Sequence, residues 1–271
     1  MMGFTERVKE AIKRYEGKKH PVDKIAYKLK AYDLADRLGI KHAKIYGIYS
    51  RIEFVSWKKL PGQFVIKPQQ GCSTHGVMPL IKIEEKENPE FETYFDILRN
   101  KLMPKERIIA YFMEGLLPES HVKHSRGLWI EELLGNPVPC DWKVYTFNGK
   151  IGFIRQYKGD GEIKYSKNWT EGWEITNPIM KEMGKYIINN KLPAPIHKEE
   201  LLETAKRLSI EVKHPFVRVD LYDTPNGIYL GELTPHPGST HIFIDSWQND
   251  MGKLWEKAER ELNDKREKLK W

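Results

Sequence analysis

Apolar residues recur at helical spacing at Val8, Ala11, Ile12 and Tyr15 behind Thr5, which predicts a first helix over residues 5–15. Pro21 and Asp23 open a second helix, whose stripe Ile25, Leu29, Tyr32, Leu34, Ala35 and Leu38 runs to a stop at Gly39. Ile45 to Tyr49 reads as a short strand, and Phe64-Val65-Ile66 begins a buried strand that ends in Lys67-Pro68. A loop of small residues follows, from Gln70 to Gly76, before a second apolar run from Val77 to Ile83. The spacing of Phe91 to Leu102 predicts a helix, and Leu128 to Leu134 a strand holding the pair Glu131-Glu132. Trp142–Phe147 and Lys150–Tyr157 flank Asn148-Gly149, the dipeptide preferred in a tight type I′ hairpin turn. Residues 159–178 are rich in Gly, Asn and Trp and show no period, so they read as a loop or lid. A helix from Lys198 to Leu208, a hairpin of Phe216–Tyr222 with Gly227–Thr234, and a charged helix from Lys253 with a thin stripe of Leu254, Ala258, Leu262 and Leu269 complete the chain.

The last hairpin carries the sharpest chemistry. A three-residue loop, Pro225-Asn226-Gly227, with Gly in the left-handed position, sets Thr224 opposite Ile228. It follows that Asp220 faces Glu232 and Arg218 faces Thr234, with Arg218, Asp220 and Tyr222 on one face of the strand. Two facing acids repel unless a positive charge sits between them. Arg218 as a structural ion pair is one answer, and a hard divalent cation such as Mg²⁺ bridging to a phosphate is the other. Under the second answer, an amide at either position relieves repulsion and leaves the metal-free protein at least as stable. Lys67, running into a loop with two Gly, a Ser and a Thr, supplies a point charge beside backbone N–H groups able to cradle phosphate. No Gly-Lys-Ser/Thr follows those glycines, so the loop is not a Walker motif.

The 271 residues suffice for one large domain or two ordinary ones, and 40% hydrophobic content rules out a disordered polyampholyte. A net charge of +7 fits an anionic partner and equally plain solubility. Cys72 and Cys140, the only two cysteines, form no metal or redox spacing and point to a reducing compartment. Without a secretory h-region or an apolar run longer than Ile108–Met113, the expected setting is cytoplasmic, with no membrane contact. His236 and His241 read as loop hydrogen-bond donors before metal ligands, and Trp169 with Trp173 as either a substrate platform or ordinary packing.

The order of these pieces resembles the ATP-grasp superfamily, and within it the TupA-like (teichuronopeptide-biosynthesis) family. The stretches "VDKIAYKLKAYDLADRLGI", "LPGQFVIKPQQGCSTHG", "DWKVYTFNGK" and "FVRVDLYDTPNGIYLGELTPHPGS" carry the likeness. The resemblance implies an α+β fold of two lobes that sandwich ATP, with the N-terminal Rossmann-like domain of many such ligases reduced or absent. It divides the chain into an N-terminal segment (1–50), a small lobe with the phosphate loop (51–130) and a large lobe with the metal site (131–271). Lys24 and Lys67 match the two phosphate-contacting lysines, with Gly71, Ser73, Thr74, His75 and Gly76 as the loop. Glu131, Glu132, Leu133 and Leu134 match the adenine hinge, and Asp141 and Lys143 the ribose and phosphate contacts. Arg155 stands where related ligases hold a basic residue near the reacting carboxylate. Asp220 and Glu232 match the acids that bind Mg²⁺, Arg218 the arginine that stabilises the transition state, and Thr234 replaces the usual Asn ligand. The implied activity is ATP-dependent carboxylate–amine ligation through an acyl phosphate, joining an amino acid to a polysaccharide, other anionic polymer or carrier. A phosphotransferase and a non-catalytic polyanion-binding module are the alternatives, and nucleic acid stays open as a partner.

Overall fold

The computed structural model describes residues 2–14, 22–69, 76–83, 92–113, 127–135, 137–160, 163–176, 186–189, 191–238, 240 and 243–268. The side chains of Asp23 and Lys24 and the loop residues Gly71, Cys72, Ser73, Thr74 and His75 lie outside the described residues, as does His241. The chain forms two compact units, one of Met1–His42, Pro139–Lys158 and Ile163–Trp271, the other of Ala43–Val138 and Gly159–Glu162. Among the described residues no helix is long and apolar enough to cross a membrane.

The smaller unit is built on a six-stranded sheet in the order β2-β7-β3-β4-β5-β6. Its strands are β2 (Ile45–Tyr49), β3 (Gln63–Pro68), β4 (Met78–Ile83), β5 (Thr93–Asp96), β6 (Lys101–Pro104) and β7 (Leu128–Glu131). The helix expected over 91–102 is instead the β5–β6 pair, with Asn100 in the left-handed region at φ 50°. Aromatics at near-helical spacing misled there: Tyr94 and Phe95 lie on opposite faces of one strand, and only Tyr94 enters the core. One face of the sheet, carrying Phe64, Ile66, Met78, Leu80, Tyr94, Leu128 and Ile130, packs with Ile108 of helix α4 (Lys105–Met113) into an apolar core. Alternation therefore turns Val65, Lys67, Trp129 and Glu131 to the opposite face.

The larger unit is built on a seven-stranded sheet, β1-β13-β12-β8-β9-β10-β11. Its strands are β1 (Lys41–His42), β8 (Asp141–Phe147), β9 (Lys150–Asp160), β10 (Ile163–Trp169), β11 (Tyr186–Ile188), β12 (Val217–Thr224) and β13 (Gly227–Thr234). Asn148 and Gly149 take φ of 46° and 86°, as the expected type I′ turn demands. The first half of the loop expected over 159–178 holds strand instead: β9 runs on to Asp160 and β10 takes 163–169. Hydrophobic alternation missed β10 because Ser166, Lys167 and Asn168 are buried polar residues, so each face carries polar groups.

Helices cover both faces of this sheet. Helix α1 (Phe4–Lys13) and the long C-terminal helix, which starts at Asp245, pack together. They bury Phe4, Val8, Met251 and Trp255 against Tyr145, Phe147, Phe153 and Phe216. Phe4 is the hub, with ring centroids of Phe216 at 4.9 Å and of Phe147 at 6.0 Å. Helices α2 (Asp23–Ala26) and α3 (Lys28–Arg37) lie against β13. Helix α5 (Lys198–Glu211) covers β12 and β8 on the side of Val217, Val219 and Leu221, and α6 (Asp245–Lys268) is the C-terminal helix already described.

The last hairpin reaches the expected pairing by a different route. Its turn is one residue tighter, with Thr224 opposite Gly227, and a bulge at Gly231 restores the count, so Asp220 faces Glu232 and Arg218 faces Thr234. The bulge needs glycine: a Cβ there would come within 2.7 Å of the Tyr222 ring and 3.2 Å of the Asp220 carbonyl oxygen. Gly231→Ala should therefore cost about 1–3 kcal/mol of stability, read as a lower denaturation midpoint. An unchanged midpoint would mean that the bulge is not strained by a side chain.

Candidate functional site

In the smaller unit, Lys67 is the last residue but one of β3 and is 8% exposed. Its Nζ donates to Glu131 Oε1 of the neighbouring strand, and Glu131 is itself buried. This pair holds the Lys67 charge near the end of a buried strand, on the face away from the core. Gly76, the described end of the glycine-rich segment, takes φ 73°. Glu131 is thus a partner of Lys67, while Glu132 turns to the residue just before β2, where its Oε2 accepts the Lys44 N–H at 3.2 Å. Leu133 is buried and Leu134 half-buried beyond them.

In the larger unit a row of polar side chains crosses four strands. Pairing sets Glu232 opposite Asp220, Asp220 opposite Lys143, and Lys143 opposite Arg155. Partners at one level share a face, so these four stand side by side at strand spacing of about 4.8 Å. Arg218 grips Asp220 with two bonds, Nε to Oδ1 at 2.6 Å and Nη2 to Oδ2 at 2.8 Å. Its Nη2 also donates to Thr234 Oγ1 at 2.9 Å, and that hydroxyl donates to Glu232 Oε1 at 3.3 Å. Lys143 bridges Asp220 at 2.5 Å and Asp141 at 2.7 Å. Arg155 donates from Nη2 to Ser166 Oγ at 3.3 Å and lies over the Tyr157 ring at 4.9 Å.

The charges tune one another. Burial pushes the Asp220 carboxyl up, but Arg218 and Lys143 outweigh it and hold the group below the usual carboxylate range. Burial prevails at Asp141, whose pKa is raised despite Lys143, and its Oδ1 is buried with no hydrogen-bond partner. Burial alone would lower the Lys143 and Arg218 values, yet the facing carboxylates raise both and keep both charged. Three acids, Asp141, Asp220 and Glu232, stand among three bases, Lys143, Arg155 and Arg218, so the cluster is close to charge-balanced.

Several expected positions fall elsewhere. Trp169 lies on the opposite face from Arg155, donating to Gln156 and packing with Trp142 and Trp173 at 6.5 and 6.0 Å, so it is part of the packing. His236 packs edge-on against His214 at 5.6 Å. Lys24 is carried on α2, with its side chain outside the described residues. Among the described residues no three His, Cys, Asp or Glu side chains converge as a metal cage. Sequence reasoning missed Ser166 and Asn168, because the buried Lys167 interrupts the apolar alternation of Ile163, Tyr165 and Trp169.

The two-sheet α+β architecture, with Lys67 buried in one sheet and an Arg-x-Asp/Glu-x-Thr hairpin in the other, is that of the ATP-grasp class. Solved structures of that fold are similar over most of the chain. D-alanine–D-alanine ligase from Bacillus anthracis complexed with ATP is 15% identical, covering 89% of this chain and 68% of that one at a TM-score of 0.52. Another structure of that ligase gives a TM-score of 0.55 at 15% identity, covering 89% and 70%. A Chryseobacterium gregarium RiPP-associated ATP-grasp ligase is 11% identical, with 91% and 62% covered and a TM-score of 0.46. No curated protein matches. The profile of the TupA-like ATP-grasp family matches residues 9–255, and the chain belongs to that family. It is by family an ATP-dependent ligase.

Proposed function

We propose that the protein joins a carboxylate to an amine through an acyl phosphate, with an amino acid as one substrate and a polymer or carrier as the other. The observation that carries this reading is the polar row from Glu232 through Asp220 and Lys143 to Arg155, which grades from acidic to basic across one sheet face. A carboxylate oxygen attacks the γ-phosphorus of ATP and ADP leaves. The amine nitrogen then attacks the acyl carbon, inorganic phosphate leaves and the nitrogen loses a proton. No side-chain nucleophile is required, so catalysis is positioning and charge neutralisation.

The residues suit Mg²⁺ by chemistry, since Asp220, Glu232 and Thr234 offer only hard oxygen donors on adjacent strands. When bound, the ion would neutralise phosphate charge and orient the γ-phosphate. With Asp220 already gripped by Arg218 and Lys143, the site holds a bare divalent ion weakly and a Mg–nucleotide better, because the phosphates draw both cations away. Arg218 and Lys143 then face the transferring phosphoryl group, Lys67 the outer phosphates, and Arg155 the substrate carboxylate. Lys24, Gly71, Ser73, Thr74, His75 and Gly76 complete the phosphate contacts in this reading, and Glu132 to Leu134 the adenine edge. A net charge of +7 supports an anionic polymer as acceptor, and the cysteine usage a cytoplasmic setting.

Hydroxylamine tests the reading, because it intercepts an acyl phosphate as a hydroxamate. With ATP, Mg²⁺ and a panel of amino acids and uronic acids, one carboxylate should give hydroxamate and ADP in equal amounts. ADP release with a phosphorylated product and no hydroxamate would instead make the protein a phosphotransferase.

A further inference from the structure

Strand β10 buries four consecutive side chains, Ser166, Lys167, Asn168 and Trp169, and three of them are polar. Alternation divides them between the two faces of the sheet. Lys167 and Trp169 turn away from the site: Lys167 Nζ donates to the Leu192 carbonyl at 2.7 Å, and Trp169 Nε1 to Gln156 Oε1 at 3.1 Å. Ser166 turns toward the site, where its hydroxyl meets Arg155. Asn168, two residues on, shares that face with Ser166. It is 7% exposed, and its Oδ1 has no hydrogen-bond partner. Buried side-chain oxygens are almost always satisfied, so one that is not requires a reason.

The position supplies it. The polar row that starts at the acids of β13 and β12 continues through Lys143 and Arg155 to β10, and it ends on an open acceptor. A guanidinium complements a carboxylate, and an amide oxygen complements an N–H. We propose that Arg155, Ser166 and Asn168 form a subsite for an α-amino acid, its carboxylate on Arg155 and an N–H of its nitrogen on Asn168 Oδ1. The subsite rests on the ligase reading for the fate of that amino acid, but not for its binding. A free amino acid and the C-terminal residue of a peptide share this chemistry.

Equilibrium dialysis of the full chain, in Mg²⁺ and ADP, against labelled α-amino acids and their N-acetyl forms tests the assignment. At least one amino acid should bind the parent, and Asn168→Leu should weaken it at least tenfold. Asn168→Asp should keep it bound, since a carboxylate still accepts the N–H. Equal binding of the N-acetyl form would identify a peptide terminus as the source, and its exclusion a free amino acid. Asn168→Leu removes an oxygen that has no partner, so its melting temperature should not fall; if it does, Asn168→Asp and Ser166→Ala carry the comparison, the latter weakening binding. The proposal is overturned if no member of the panel binds, or if folded Asn168→Leu binds like the parent, or, where Asn168→Leu does not fold, if Ser166→Ala binds like the parent. Failure of the ligase reading would look different: amino-acid binding without hydroxamate.

Discussion

Asp220→Asn should melt on the order of 10 °C below the parent and lose most of the stabilisation that Mg²⁺ with ADP confers. Removing one partner of a buried ion pair costs about 3–5 kcal/mol, because the remaining charges stay buried, and each kcal/mol moves the midpoint of a chain this size by roughly 2–4 °C. Here Arg218 loses the carboxylate that accepts two of its bonds, while Lys143 loses one contact and keeps Asp141. Glu232→Gln is the control. Among the described residues the Glu232 side chain accepts one long hydrogen bond, from Thr234, and attracts Arg218 without a direct bond to it, so its substitution should cost less than about 1 kcal/mol in the metal-free protein. It should still forfeit most of the gain from Mg–ADP, which is about 2.7 kcal/mol at 100 times the dissociation constant. If both variants melt like the parent and respond equally to Mg–ADP, the metal assignment fails.

The same ion pair sets an acid limb. Asp220 titrates below its usual range in the folded chain. It therefore adds stability that is complete above the unfolded pKa of about 3.9 and is lost as the pH falls through the lower folded value. Asp141, raised by burial, contributes with the opposite sign. The difference between parent and Asp220→Asn isolates the Asp220 share, and it should shrink below about pH 4.

Lys67→Met should lower ATP affinity at least tenfold, the loss expected from a charge-assisted contact of about 1.5–3 kcal/mol. Methionine keeps the stem and removes the charge. It also removes the Lys67 side of a buried ion pair with Glu131, so the single variant should be destabilised. Lys67→Met with Glu131→Gln separates the two effects: stability should return and ATP affinity should not. Recovery of both would show that Lys67 acts only as the partner of Glu131, and equal affinity in parent and single variant would remove Lys67 from the phosphate site.

Turn chemistry and alternation made much of this legible in advance. Asn148-Gly149 announced its hairpin, Lys67-Pro68 closed its strand, and the facing of Asp220 with Glu232 emerged although both the turn and the bulge were missed, because those two shifts cancel. All of these depend on neighbours a few residues apart in the chain. Strand β10 was not legible, because the burial that makes Ser166, Lys167 and Asn168 a strand is supplied by residues such as Arg155 and Leu192, distant in sequence.

The sequence by itself determined the residue types of the site, their order and their pairing across the last hairpin, since strand period and turn residues act locally. Only the tertiary structure decided the sign of the Asp220 substitution. A repelling pair read from two facing strands becomes a stabilising cluster once β8 brings Lys143 alongside and Arg218 folds onto the same carboxylate. Electrostatic energy depends on every charge within a few ångströms and on burial, and strands far apart in the chain set both.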